Sequence, residues 1–419
     1  MHGERDEASY EQARREERLW RAAREAGLPR RRFLQQAGVA VVGTALGSCG
    51  GRAPADRAAP AAAPPGAAGT FVKAVTEDRF IPLGTNAEMR WDQMARQGYV
   101  VGNDLFFVRD HTSTPRIDPA TWRLVVSGSG VARPLELSYD ELLALPARTS
   151  VTRFVECAGN GRAFFNDAQG EKARGTQWRL GAIGVAEWTG VPLGEVLERA
   201  GLKPTARDVM PAGLDELKVR RPIPVAKALQ DDTLLVFAMN GEPLPADHGF
   251  PARVLVPGWV GIASIKWAGH IEVSEEPLFS DWNTGSYVLI GPAYQPEGRH
   301  KGPVLTSQVV KSALELAWPA SLAAGRHTIR GRSWSGQGRI AKVEYRIDDD
   351  PAWRPAQLHE PNIPMAWARW SFTWDAPPGG HTIKVRATDD QGSIQPDRVP
   401  FNEMGYLYSA IVAHPVSVA

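Results

Sequence analysis

From about residue 305 onward, short runs of alternating apolar and polar residues recur at close spacing, and that period restricts this part of the chain to an all-β fold. The runs cover residues 327–333, 340–347, 369–374 and 381–387, with turns between them such as Ala376-Pro377-Pro378-Gly379-Gly380. Successive residues of a strand point to opposite faces, so the pattern describes two packed sheets, a sandwich of the immunoglobulin class. Many of the 14 tryptophans fall in this C-terminal third, where core packing is the plain expectation for them.

Residues 70–304 read differently. Strand-like runs at 124–126, 234–238 and 254–256 stand among Gly and Pro punctuation, with helical spacing over 136–145 and 193–200. The mixture predicts an α+β domain and not a chain of βαβ repeats. With 419 residues, 43% of them apolar, the chain has material for two or three domains with ordinary cores. A formal net charge of +1 gives no overall pull toward nucleic acid, and no such partner is expected. Neither an internal repeat nor a Gly-rich phosphate loop is present, and the two cysteines, Cys49 and Cys157, build neither a disulfide scaffold nor a CxxCH haem attachment.

Residues 1–48 read as an export signal. Three arginines at 30–32 precede an apolar stretch over 37–47, too short for a membrane span of about 20 residues. Arg31-Arg32-Phe33-Leu34 resembles the twin-arginine signal, read by a machine that exports folded proteins. Leu46-Gly47-Ser48-Cys49 resembles a lipobox, whose cysteine is acylated, and the Ala/Pro-rich residues 49–69 read as a tether. Removing residues 1–48 takes away nine Arg and seven Asp/Glu, which moves the net charge from +1 to −1. The expected location is periplasmic or on the outer face of the cytoplasmic membrane, with lipid at Cys49 as the only membrane contact.

The segment Phe154-Val155-Glu156-Cys157-Ala158-Gly159-Asn160-Gly161-Arg162 carries the most chemistry. A lone cysteine follows a strand-like run and precedes a small, turn-forming stretch, a place where ligands commonly bind. Its sulfur suits a soft or redox-active metal, and the competing reading is a small buried hydrophobe.

Motifs along the chain resemble the sulfite oxidase family of molybdopterin enzymes, including bacterial sulfite and sulfane dehydrogenases. They run in order: Phe106-Phe107-Val108-Arg109-Asp110-His111, the Cys157 segment, Gly175-Thr176-Gln177-Trp178, Glu187-Trp188-Thr189-Gly190, Asp247-His248-Gly249-Phe250-Pro251-Ala252-Arg253 and Ser264-Ile265-Lys266-Trp267. Ser333-Trp334-Ser335-Gly336 and Gln395-Pro396 extend the likeness into the sandwich. The resemblance implies a molybdopterin-binding catalytic domain over 70–304 and an immunoglobulin-like dimerisation domain over 305–419. It makes Cys157 the metal ligand, and Phe106, Arg109, His111, Asp215, His248, Arg253, Ser264 and Lys266 contacts to the pterin and its phosphate. Arg109, Arg162 and Trp178 take the family's positions for binding a small sulfur oxyanion.

Two departures accompany it. The family's active-site tyrosine aligns on Val219, which leaves Arg221 as the candidate to replace part of the donor set. An arginine contributed from near the sandwich aligns near Ile363, with Arg369 the nearest cation. The implied activity is oxidation of sulfite or a related sulfur compound by oxygen-atom transfer, in a homodimer that passes electrons to a separate acceptor such as a cytochrome c. The alternatives are a molybdopterin-dependent reductase of a sulfoxide or other oxyanion, and a non-catalytic, lipid-anchored surface protein.

Overall fold

A computed structural model describes residues 70–419. The export signal, Cys49 and the tether lie outside the described residues. The first domain is α+β, built on strands β1 (Phe80–Leu83), β2 (Asn86–Met89), β3 (Val108–Arg109), β4 (Arg123–Ser127), β5 (Leu135–Ser138), β6 (Thr149–Glu156), β7 (Ile183–Pro192), β8 (Asp208–Gly213), β9 (Ile223–Pro224), β10 (Leu234–Met239), β11 (Glu242–Pro243), β12 (Arg253–Leu255) and β13 (Ala268–Ser274). Its main helices are α1 (Tyr139–Ala144), α2 (Ala163–Gln169) and α3 (Leu193–Arg199).

Three sheets result: β1-β2-β3, β11-β10-β7-β6 with β12 also on β10, and β5-β4-β13-β8-β9. Pairing is antiparallel except between β4 and β13, as expected where consecutive strands are joined without crossover helices. A shared apolar core that includes Leu124, Val196, Leu235, Val254 and Ile271 lies between elements of the last two sheets and the helices.

Residues 136–145 are expected to be helical, but Leu135–Ser138 is a strand, and the helix begins only at Tyr139. The reason is chemical: Ser138 and Glu141 form a capping box, and such a box marks the first turn of a helix.

The second domain is the sandwich, with β14 (Lys311–Leu314), β15 (Ala320–Leu322), β16 (Gly325–Trp334), β17 (Ile340–Ile347), β18 (Arg354–Pro355), β19 (Gln357–His359), β20 (Trp367–Ala376), β21 (Gly379–Asp389) and β22 (Ala413–Val418). The sheets run β14-β16-β20-β19 and β15-β22-β21-β17-β18. Alternation does the sorting: Trp370, Phe372, Trp374 and Ala376 of β20 turn into the core, and Arg369, Ser371, Thr373 and Asp375 turn away. Trp334 and Trp367 instead reach the first domain, donating through Nε1 to the Glu156 carboxylate at 3.0 Å and to the Tyr99 carbonyl at 2.8 Å. Core packing is thus only part of what the tryptophans do.

Candidate functional site

Strand β6 stops at Glu156, and the chain turns at once. The Cys157 amide donates to the Ala182 carbonyl at 2.9 Å, and the Asn160 amide returns to the Cys157 carbonyl at 2.9 Å. The Gly159 amide donates toward Cys157 Sγ at 3.4 Å. A Cβ on Gly159 would lie 2.3 Å from the Arg162 guanidinium, so a larger residue in this turn would displace that side chain. Cys157 is only 7% exposed, yet it lines a cleft of about 710 Å³ that opens to solvent.

All eight residues that the family resemblance assigns to the pterin and its phosphate line this same cleft: Phe106, Arg109, His111, Asp215, His248, Arg253, Ser264 and Lys266. They come from four separate stretches of chain, which only the fold brings together. Of the residues assigned to the oxyanion, Arg109 lines the cleft and the others do not. Arg162 lies beneath the cysteine turn, donating to the Met404 and Thr176 carbonyls, both at 2.5 Å. Trp178 is 1% exposed and meets Phe107 edge-on at 6.3 Å. Arg221 is equally buried and donates to the carbonyls of Trp282 and Leu305.

Electrostatics set this cleft apart from ordinary core. Burial alone pulls the Arg253 guanidinium down to about 9, and no carboxylate among the described residues pairs with it. Its Nη atoms donate to the carbonyls of His248 and Ser264, each at 3.0 Å, and its Nε has no partner. A buried cation with an orphaned donor is costly unless an anion joins it. Lys266 meets Asp110 and the Asp247 carbonyl, while burial and the cations of Arg109 and Lys73 push it well down.

The two histidines of the cleft are neutral at neutral pH. Burial, then the Lys73 and Arg253 cations, hold His248 well below its ordinary value, with Lys73 Nζ 2.8 Å from its Nε2. Burial and Arg109 bring His111 down to about 3. Burial also lowers Lys73, to about 7, against the pull of Asp247, whose carboxylate accepts from the Val72 and Lys73 amides.

Sequence reasoning missed Tyr287. The family tyrosine aligns on Val219, which is an apolar wall of the cleft, but Tyr287 from a different loop supplies a tyrosine to the same space. Its hydroxyl accepts from Arg109 Nη2 at 3.2 Å, and its ring stacks on Tyr406 at 5.1 Å. It has φ of +55°, a conformation that costs about 1–3 kcal/mol and gathers at functional sites. Nothing in its immediate sequence marks it.

The second departure is also corrected. The C-terminal segment that meets the cysteine turn is residues 402–408: Leu407 donates to the Ala158 carbonyl at 2.8 Å, and Met404 accepts from Arg162. Arg369 lies elsewhere, over the Tyr99 ring at 5.9 Å.

Family models divide the chain where its two folds divide. The oxidoreductase molybdopterin binding domain matches residues 111–282, and the Mo-co oxidoreductase dimerisation domain matches residues 305–416. The class is therefore that of the molybdopterin-binding oxidoreductases. Sulfite oxidase of Gallus gallus is 34% identical over 345 residues, covering 78% of this chain and 74% of that protein. Mitochondrial sulfite oxidase of Homo sapiens is 35% identical over 338 residues, covering 76% of this chain. The chain spans 62% of that human protein's length. Among solved structures, the sulfane dehydrogenase SoxCD from Paracoccus pantotrophus superposes with a TM-score of 0.71 at 27% identity, covering 83% of this chain and 90% of the other. On these matches the chain belongs to the sulfite oxidase family.

Proposed function

We propose that this protein is a molybdenum enzyme that oxidises sulfite or a related small sulfur oxyanion and passes the electrons to a separate carrier. The observation that carries the reading is one cleft in which the Cys157 sulfur, the Arg109 guanidinium and the Tyr287 hydroxyl converge beside buried cations. Among the described residues no cluster of His, Cys, Asp and Glu could hold a metal unaided, so a metal at Cys157 draws its remaining ligands from a cofactor.

The residues fit that cofactor. Arg253, buried and without a countercharge, suits a phosphate, and its orphaned Nε is a donor waiting for an acceptor. Lys266 and Ser264 flank it, and neutral His248 packs edge-on against Phe106 at 5.3 Å to close the apolar wall. Bound there, molybdopterin supplies the metal and its two-electron oxygen-transfer chemistry, with Cys157 as the protein's own ligand.

The remaining work belongs to side chains. Arg109 attracts the anion and orients it by charge. Tyr287 accepts from Arg109 and lies 3.4 Å from the Nε2 of neutral His111, and burial raises its hydroxyl above the ordinary tyrosine value, so it keeps its proton and can turn it from His111 to the anion. Val219 and Ile262 exclude water on the apolar side. Nitrate reductases of Ulva prolifera and Hordeum vulgare align at 27% and 29% identity, below the 34–35% of the sulfite oxidases, which favours oxidation over the reductase alternative.

The same proposal places the enzyme outside the cytoplasm by the twin-arginine route, tethered through Cys49, as a homodimer through the sandwich, with a c-type cytochrome as acceptor. The deciding experiment is metal and pterin analysis on full-length protein from a molybdate-fed host, beside Cys157→Ser, with sulfite-dependent reduction of ferricyanide or cytochrome c as the assay. Near-stoichiometric molybdenum, and activity that drops by about 10³-fold or more in the variant, is the expected result. Molybdenum without sulfite turnover moves the assignment to another sulfur compound or to the reductase, and folded protein without molybdenum overturns it.

A further inference from the structure

The residues on either side of Cys157 are held by the sandwich. The Glu156 carboxylate, fully buried, takes three donors: Lys311 Nζ at 2.8 Å and Asn160 Nδ2 at 2.9 Å on Oε1, and Trp334 Nε1 at 3.0 Å on Oε2. Lys311 also donates to the Asn160 carbonyl at 3.0 Å. One ammonium thus spans the turn from the residue before the cysteine to the third residue after it. Gln308 Nε2 adds a bond to the Glu156 carbonyl at 2.9 Å. Neither Glu156, Lys311 nor Trp334 lines the cleft, so the network touches no substrate there.

A buried ion pair is weak evidence for stability, since well-packed apolar residues in its place are often as stable. What a fully satisfied carboxylate does supply is a fixed place for its neighbours, as the outer contacts of metal ligands do.

We propose that Lys311 and Glu156 are positioning residues through which the sandwich sets where the Cys157 sulfur stands. The sandwich is then part of the metal site's construction as well as an association domain. The inference rests on Cys157 being the metal ligand, but its test reads the cysteine directly and needs no substrate, so a wrong substrate leaves the result intact.

The test uses full-length protein made without molybdate, with the rate of Cys157 alkylation by iodoacetamide followed on its own peptide by mass spectrometry. Lys311→Met raises that rate roughly tenfold or more. The control Arg332→Met breaks another buried pair of the same domain, Arg332 with Glu315 at 2.6 Å, together with the Arg332 bonds to the Met94 and Gln97 carbonyls, and lowers thermal stability without exposing the cysteine. Combining Glu156→Gln with Lys311→Met removes both buried charges. Stability then returns toward wild type while Cys157 stays reactive, because the bridge to Asn160 is still missing. If Lys311→Met does not fold, Trp334→Phe, which deletes one donor, raises the rate about threefold. Equal reactivity in Lys311→Met and Arg332→Met, reactivity that recovers with stability in the double variant, or an unchanged rate in Trp334→Phe overturns the proposal.

Discussion

Tyr287 is where a single side chain separates two kinds of site. Without it, the donor set against Cys157 is the Arg109 guanidinium; with it, a cation and a neutral donor meet beside the sulfur. Tyr287→Phe keeps the ring that stacks on Tyr406 and leaves Arg109 in place, so the loss is confined to one hydroxyl. We expect kcat/KM for sulfite to fall about 10- to 10²-fold, with molybdenum content and melting temperature held near wild type. Steady-state kinetics on metal-normalised enzyme checks this, and an unchanged kcat/KM would remove Tyr287 from anion binding. The residue was not legible beforehand because its position depends on a left-handed backbone at the end of an irregular loop, which no periodicity encodes. Cys157, Arg253 and Lys266 were legible because each stands in a motif that resembles the family's, and the fold brings all three to the cleft.

At the scale of elements, β6 and the helix after β5 show what pattern reading captures and what it does not. The apolar run before Cys157 predicted a strand, and the strand is there, ending one residue short of the cysteine. The stretch 136–145 carries helical spacing, yet its first three residues pair with β4, from Val125 opposite Glu136 to Arg123 opposite Ser138. Apolar spacing over so few residues suits either state, and the decision falls to Ser138. Its hydroxyl accepts from the Glu141 amide at 3.3 Å, and the Glu141 carboxylate answers to the Ser138 amide at 2.8 Å. Ser138→Ala leaves the Glu141 amide to water and should cost about 1 kcal/mol. A urea midpoint that does not move would show that strand pairing alone fixes the junction. What no element-level pattern reveals is that residues 402–408 fold back onto the cysteine turn, since that contact joins segments more than 240 residues apart.

For the molecule as a whole, the buried histidines make stability depend on pH in one direction. His111 is brought down to about 3 by burial and Arg109, and His414, in the sandwich, to about 4 by burial against its bond to the Ala317 carbonyl. His248 is held well below its usual value by burial and by Lys73 and Arg253. In each case the folded pKa lies below the unfolded one. The unfolded chain therefore takes up protons first as pH falls, and the stability present above about pH 6.5 drains away toward the folded values. His414 isolates the effect, because it stands in the sandwich, remote from the cleft, 2% exposed, with its Nε2 2.8 Å from the Ala317 carbonyl. His414→Gln keeps a donor for that carbonyl but cannot be charged. The loss of unfolding free energy between about pH 7.5 and about pH 5, read from urea titrations, should shrink by about 2 kcal/mol in the variant. An acid limb as steep in His414→Gln as in the wild type would mean that carboxylates, and not buried neutral histidines, control the acid stability of this domain.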